Sequence, residues 1–345
     1  MVLKDYSANY EELNGKSILI TGGTGSFGKG FVREVLRRSK PKRLIVFSRD
    51  ELKQYEMQHS PEFAGEPSLR FFIGDVRDRE RLRMAMRGVD FVVHAAALKH
   101  VPIAEYNPFE CINTNVYGAE NVVSAAMDCG VKKIVALSTD KAASPINLYG
   151  ASKLASDKIF VAANNVLGGL QTRCCVVRYG NVLGSRGSVV PFFKKLIDNG
   201  TDHLPITDPR MTRFWITLEK GIEFVVSCIN NMHGGEIFIP KIPSMRIPDL
   251  ASAMAPELEQ RVVGIRPGEK LHEVMVTEDD ARNTVEYSDR YVIEPELTFW
   301  RDNKERKTTG KPVADDFSYS SDKNDAWLGG DELANLIKDI PGSGL

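Results

Sequence analysis

The chain lacks a long apolar run: nothing in its 345 residues approaches the roughly 20 apolar positions of a membrane-spanning helix. Its opening stretch, Met1-Val2-Leu3-Lys4-Asp5-Tyr6, has no apolar core of the secretory-signal kind. It also lacks an excess of one charge. The 45 Lys and Arg stand against 46 Asp and Glu, so no global field favours nucleic acid or an anionic membrane. Cysteine is scarce: Cys111, Cys129, Cys174, Cys175 and Cys228 show no metal-ligand spacing, and the set suits a reducing compartment. No cluster of His, Cys and carboxylates points to a metal, and there is no internal repeat. A cytoplasmic protein with neither a nucleic-acid nor a membrane partner is expected.

What the chain does have is alternation. Short apolar strands start at Ser17, Arg43, Leu69, Phe91 and Lys133, separated by helix-length segments, and another spans 172–179. This predicts an α/β fold, a Rossmann-like doubly wound parallel sheet with a smaller, discontinuous C-terminal substrate-binding domain. Ligands of such sheets bind outside the strand C-terminal ends, where Thr21, Asp75, Ala95, Thr139 and Gly180 fall. The expected organisation has four parts. Residues 1–16 form a polar, interface-type arm, and 17–180 a dinucleotide-binding domain to which a helix near 218–231 returns. Residues 181–295 are mainly substrate-binding, and 296–345 form a charged packing or oligomer tail ending in an amphipathic helix near 331–340.

After the first strand comes Thr21-Gly22-Gly23-Thr24-Gly25-Ser26-Phe27-Gly28, a G-x-x-G-x-x-G turn opening a helix. Glycines there let the backbone approach a pyrophosphate at a helix N-terminus, so Gly22, Thr24, Gly25, Ser26, Phe27 and Gly28 are assigned to a dinucleotide. An acidic residue ending the second strand would accept from a ribose 2′-hydroxyl and favour NAD. This chain instead has Ser48-Arg49, with Lys53 one turn on, which suits a 2′-phosphate and favours NADP over NAD. Asp50 is expected to cap the helix 51–59 and Asp78 the one after it. Asp75 is placed to accept from an adenine amino group, with Val76 beside it. Ala95 and Ala96 are small enough for the backbone to pass close to the cofactor, and Lys99 follows next to the nicotinamide. His94 reads as a packed strand-end residue. An asparagine of Asn113-Thr114-Asn115 is expected to cap the helix to Cys129, Asn115 also being suited to a buried main-chain group.

The stretch Ser138 to Lys153, S-T-D-K-A-A-S-P-I-N-L-Y-G-A-S-K, carries the chemistry. Asn147 can cap a helix that puts Tyr149 and Lys153 on one face. The ammonium is expected to lower the phenol's pKa, so that Tyr149 takes a substrate proton as hydride leaves the same carbon. Thr139, Asp140 and Lys141 supply a hydroxyl, a carboxylate and an amine; a plain Asp140–Lys141 ion pair is the alternative. From Gly180 the chain becomes glycine-rich, and 206–214 is expected to be a basic loop. Arg213 and Arg266 are first choices for phosphate oxygens. Asn181 is assigned to a sugar, Val189 and Lys194 to the same ligand, and Glu269 to ribose hydroxyls.

These motifs resemble the extended short-chain dehydrogenase/reductase superfamily over residues 15 to about 295. Thr139-Asp140-Lys141 replaces the usual Thr-Asp-Glu of its nucleotide-sugar 4,6-dehydratases. With A-A-L-K-H-V-P (96–102), R-Y-G-N-V-L-G-S-R-G-S-V (178–189) and T-D-P-R-M-T-R-F-W (207–215), the chain is similar to the inverting UDP-N-acetylglucosamine 4,6-dehydratases. The resemblance implies an NADP-dependent hydro-lyase acting on UDP-N-acetylglucosamine in the pathway to pseudaminic acid, a sugar of flagellins and surface glycans. It also implies a homo-oligomer, dimer or hexamer. Asp140 would be the acid for the C6 hydroxyl and a neutral Lys141 the base at C5. A retaining dehydratase, or a dehydratase with looser C5 epimerase outcome, remains a rival, and a non-catalytic NADP-binding sensor a remote one.

Overall fold

The computed structural model describes residues 4–166, 171–185, 187–297 and 309–338. The apolar runs form strands β1 (Ser17–Thr21), β2 (Arg43–Ser48), β3 (Leu69–Ile73), β4 (Phe91–His94), β5 (Lys133–Thr139) and β6 (Arg173–Tyr179). They lie in the order β3-β2-β1-β4-β5-β6, all parallel. Between them run α1 (Ser26–Arg38), α2 (Glu51–His59), α3 (Arg79–Met86), α4 (Val101–Tyr106), α5 (Pro108–Ile112), α6 (Gly118–Asp128) and α7 (Leu148–Ala163). Right-handed crossovers put α3, α6 and α7 together on one face, while α1 packs against the helix Leu218–Asn231 on the other. β1, covered on both sides, is buried throughout.

The sheet continues beyond β6 with Ile237–Pro240, parallel, then Arg290–Ile293, Thr284–Glu286 and Lys311–Pro312, antiparallel, for ten strands. This is the Rossmann-like sheet expected, with a second, smaller body built on its C-terminal side. That body has its own core, in which Phe193, Leu204, Trp215, Met245, Leu250 and Leu333 are buried together.

Three predicted caps are present. Asp50 accepts from Lys53 N, Asp78 from Arg81 N and Asn147 from Gly150 N, and each such cap is worth about 1 kcal/mol. The predicted asparagine cap before Cys129 is not. The backbone stays helical from α5 through a π-turn (Asn113–Tyr117) into α6, leaving no helix start to cap. Asn115 instead turns inward, accepting from Leu98 N at 2.8 Å and donating to Leu98 O and Ser152 Oγ, both at 2.9 Å.

Two further expectations are corrected. The arm is not polar throughout. Tyr6, Tyr10 and Leu13 are buried in the main core, and Tyr6 N donates to Glu223 on the helix Leu218–Asn231. The span 206–214 is not all loop, because Thr212–Ile216 is a fully buried strand paired with Ser244–Arg246. Its charged Arg213 reads as loop but is buried, while Arg210, just before the strand, is exposed. The tail packs on its own chain. Tyr319–Ser320 pairs with Val274–Val276, and the helix Gly330–Lys338 lies on Ile247–Met254. Residues 298–308 of the tail and the last two residues of its predicted helix, 339–340, lie outside the described residues. Among the described residues no helix is long and apolar enough to cross a membrane.

His94 ends β4 as the packed residue expected. It is buried, its Nδ1 lies 2.8 Å from Thr21 Oγ1, and burial pushes its pKa down to about 3. The folded chain therefore keeps it neutral, while the unfolded chain binds a proton below its ordinary value of about 6.5. Stability present above that value is lost as pH falls toward 3. Thermal unfolding between pH 7 and 4 should show this slope, and His94→Gln should flatten it.

Candidate active site

The first turn is built for close approach. Gly22 has φ +66°, and a Cβ there would lie 2.9 Å from Ala96 N. At Gly28 a Cβ would lie 2.4 Å from Gly23 Cα, so only glycine lets α1 start this close to β1. Gly25 precedes α1 without a capping side chain, and its neighbour Thr24 is buried. Ser26 and Phe27 form the first helical turn. Opposite, Thr21 Oγ1 accepts from Ala95 N at 3.1 Å and Ala96 N at 3.2 Å, holding that strand end against the loop. The first-turn amide donors and the side-chain-free cradle fit a dinucleotide pyrophosphate. At the end of β2, Ser48 is buried with its Oγ accepting from Gln54. Arg49 reaches over to Asp75 at 3.6 Å with half its side chain exposed. Lys53 is turned back onto Asp50, and Asp75 accepts from Arg77. Val76 is buried, its carbonyl accepting from Asn121. Lys99 is exposed after β4.

β5 ends at Thr139, and a single 3-10 turn presents Asp140 and Lys141 to the head of α7. Asp140 is fully buried. Its Oδ1 accepts from Thr139 Oγ1 at 2.9 Å and Lys141 Nζ at 3.0 Å, whereas Oδ2 is buried without a partner. Burial, and next the negative Glu273, push the Asp140 pKa up, in the direction an acid needs. Lys141 departs from expectation. Burial works against its charge, but Asp140 and Glu273 outweigh it and hold the ammonium above its ordinary pKa. In this state it is a cation, not a neutral base.

The tyrosine is corrected as well. Tyr149 and Lys153 do share a face of α7, but burial pushes the phenol up to about 12. The cation opposing that shift is Lys141, with a hydrogen bond to Thr139 assisting. Lys153 is buried, and desolvation moves its pKa down against the pull of Asp157. Asp157 is itself fixed by Ser138 Oγ at 2.8 Å and Arg178 at 3.4 Å.

Glu273 escaped the sequence analysis. It is buried, 3.1 Å from Lys141 Nζ, 3.7 Å from Arg213 and 4.0 Å from Lys270. The only hint was its place at the end of the charged turn R-P-G-E-K-L-H-E. Arg213, expected near phosphates, is drawn into the same cluster. It is buried and donates to Thr212 O and Leu271 O. Asn181 pairs in register with Trp215 on the strand that carries Arg213. Val189 and Lys194 lie on the helix Val189–Asp198, with Lys194 exposed. Arg266 is largely exposed, 3.8 Å from Glu269, whose Oε2 is buried without a partner. The turn bearing them is tied to the catalytic segment by Asn147 Nδ2 donating to Gly268 O and Lys270 Nζ to Ala143 O.

Residues 18–295 match the polysaccharide biosynthesis protein family. The chain belongs to that family. A relative from Campylobacter jejuni named UDP-N-acetylglucosamine 4,6-dehydratase (inverting) is 59% identical over 95% of this chain and 99% of its own length. The motif resemblance to those dehydratases therefore holds across the family member as a whole. A relative named UDP-glucose 4-epimerase, from Rickettsia conorii, is 43% identical over 81% of this chain and 82% of its own. Among solved structures, Pen from Bacillus thuringiensis superposes with a TM-score of 0.85 at 36% identity, covering 95% of this chain and 98% of Pen. The dTDP-glucose 4,6-dehydratase DesIV of Streptomyces venezuelae, with NAD bound, gives 0.66 at 25% identity, covering 74% and 86%.

Gly28→Ala drives a methyl into backbone rather than a movable side chain. It should cost about 1–3 kcal/mol, the range for overpacking, seen as a lower melting temperature, and should weaken dinucleotide binding in a fluorescence titration.

Proposed function

We propose that this family member is an NADP-dependent UDP-N-acetylglucosamine 4,6-dehydratase that inverts C5. The observation that carries the proposal is the buried Asp140 paired with the partly exposed Lys141 at a strand end beside Tyr149. A bound nicotinamide would supply the redox chemistry, taking hydride from the sugar C4 and returning it to C6. The glycine cradle, Ala95, Ala96, Lys99, Tyr149 and Lys153 would hold it. Ser48 and Arg49 favour the 2′-phosphate, since β2 ends without a free carboxylate and Asp50 is committed to its cap.

Tyr149 accepts the O4 proton. The Lys141 charge and the Thr139 hydroxyl both favour its phenolate against burial. The C4 ketone then acidifies the C5 hydrogen. Acid and base for the elimination come from one proton shift: Lys141 Nζ passes a proton 3.0 Å to Asp140. The ion pair thereby becomes a carboxylic acid and a neutral amine. The amine removes the C5 proton, the C5–C6 double bond forms, and the C6–O bond breaks as Asp140 protonates the departing hydroxyl. Water leaves. After hydride reaches C6, a proton returns to C5 on the opposite face, giving UDP-2-acetamido-2,6-dideoxy-β-L-arabino-hexos-4-ulose. Arg213, Arg266 and Lys194 are proposed for the diphosphate, Asn181 and Val189 for the sugar side, and Glu269 for the ribose. The proposal extends to a cytoplasmic homo-oligomer making the first intermediate of pseudaminic acid.

The 4-epimerase name of the Rickettsia relatives supplies a second reading. Epimerisation at C4 would give Asp140 and Lys141 no proton to move, and so explains the buried Asp140 and its pairing with Lys141 less well.

Lys141→Ala should keep cofactor bound, slow its reduction by substrate because the Tyr149 phenolate loses that charge, and lose sugar dehydration by a further factor of about 100 or more. Mass spectrometry, following the loss of one water from the UDP sugar, checks this. Undiminished water loss removes Lys141 from the mechanism. Arg49→Ala should weaken NADP by about 10- to 100-fold while leaving NAD unchanged, measured by calorimetric titration of both; equal effects on the two would remove Arg49 from 2′-phosphate recognition.

A further inference from the structure

Glu273 lies outside β1–β6, at the end of the turn that bears Arg266 and Glu269, yet it reaches the Asp140–Lys141 pair. Its carboxylate stands 3.1 Å from Lys141 Nζ, against 3.0 Å for Asp140. Its own backbone is pinned on both sides. Glu273 N donates to Ser321 Oγ at 2.9 Å, and Ser321 N donates to Glu273 O at 2.8 Å. Ser321 Oγ is in turn 2.7 Å from Thr212 Oγ1. The carboxylate is therefore a rigid, buried anchor delivered by the C-terminal half of the chain.

We propose that Glu273 is a positioning residue for the elimination step, fixing the orientation of the Lys141 amine. An ammonium carries three donors that rotate about a single bond. Once one proton has moved to Asp140, the remaining amine is aimed by whichever acceptor still holds an N–H. Glu273 is that acceptor, so the nitrogen lone pair points away from it toward the substrate. The groups facing Lys141 are Asp140 from its own turn, Tyr149 from α7, Arg213 from Thr212–Ile216, and Glu273 with Lys270 from the adjoining loop. Because the Glu273 anion stabilises the Lys141 cation, removing it should also let the amine lose its proton at lower pH.

This inference rests on the dehydratase reading and is tested on the full-length, cofactor-loaded chain with UDP-N-acetylglucosamine. Two steps are followed separately: reduction of the nicotinamide by its absorbance in a single turnover, and appearance of the dehydrated sugar by chromatography. Glu273→Gln should leave cofactor reduction within about twofold and slow dehydration by about 10- to 100-fold, the scale of a misplaced catalytic group. The rising limb of the dehydration pH profile should move to lower pH. Glu273→Asp, which keeps the charge, should restore the profile and part of the rate, and it carries the test should the Gln variant not fold. An active wild type whose folded variants keep both rates and the profile overturns this inference alone, as does equal slowing of both steps. A wild type that dehydrates nothing overturns the dehydratase reading and this inference with it.

Discussion

One ammonium shared by two buried carboxylates governs the site. Lys141 sits 3.0 Å from Asp140 and 3.1 Å from Glu273, with both acids shielded from water. Charges in such a place must be paired, since removing one member of a buried pair costs about 3–5 kcal/mol. The two carboxylates come from opposite halves of the chain: Asp140 opens the turn after the fifth parallel strand, and Glu273 leads into a strand pinned by the C-terminal segment. The ion pair thus ties the end of the parallel sheet to the segment Val274–Val276, whose Met275 and Val276 join the main core. The tie between Asn147 and Gly268 O, 2.8 Å long, acts at the same seam.

The rest of the architecture serves that seam. Parallel strands aim their C-terminal ends the same way, so Thr21, Ala95 and Thr139 fall along one edge. Glycine at positions 22 and 28 lets that edge meet the head of α1 at backbone distance. Asn115 welds the segment after β4 to Ser152 on α7, one residue before Lys153.

Much of this was legible in the residues. Strand spacing, the glycine turn, the caps at Asp50, Asp78 and Asn147, and the inward role of Asn115 follow from local chemistry, which neighbours in sequence largely decide. What failed was everything decided by distant partners. Lys141 reads as a candidate base until Glu273, 132 positions later in the chain, is seen to share it. Lys153 looks like the cation that tunes Tyr149 because the two are one helical turn apart, but the tuning charge is Lys141. Arg213 reads as part of a basic loop and is instead buried on the strand Thr212–Ile216. The π-turn at Asn113–Tyr117 leaves no mark in composition at all.

The central claim is that a proton leaves C5 of the sugar and a solvent proton returns to its other face. Incubation of the chain with UDP-N-acetylglucosamine in deuterated water, followed by proton NMR, tests it directly. The account predicts a 6-deoxy-4-keto product carrying one solvent deuteron at C5 in the inverted configuration. A product retaining its C5 hydrogen and its C6 hydroxyl, with only C4 changed, would contradict it.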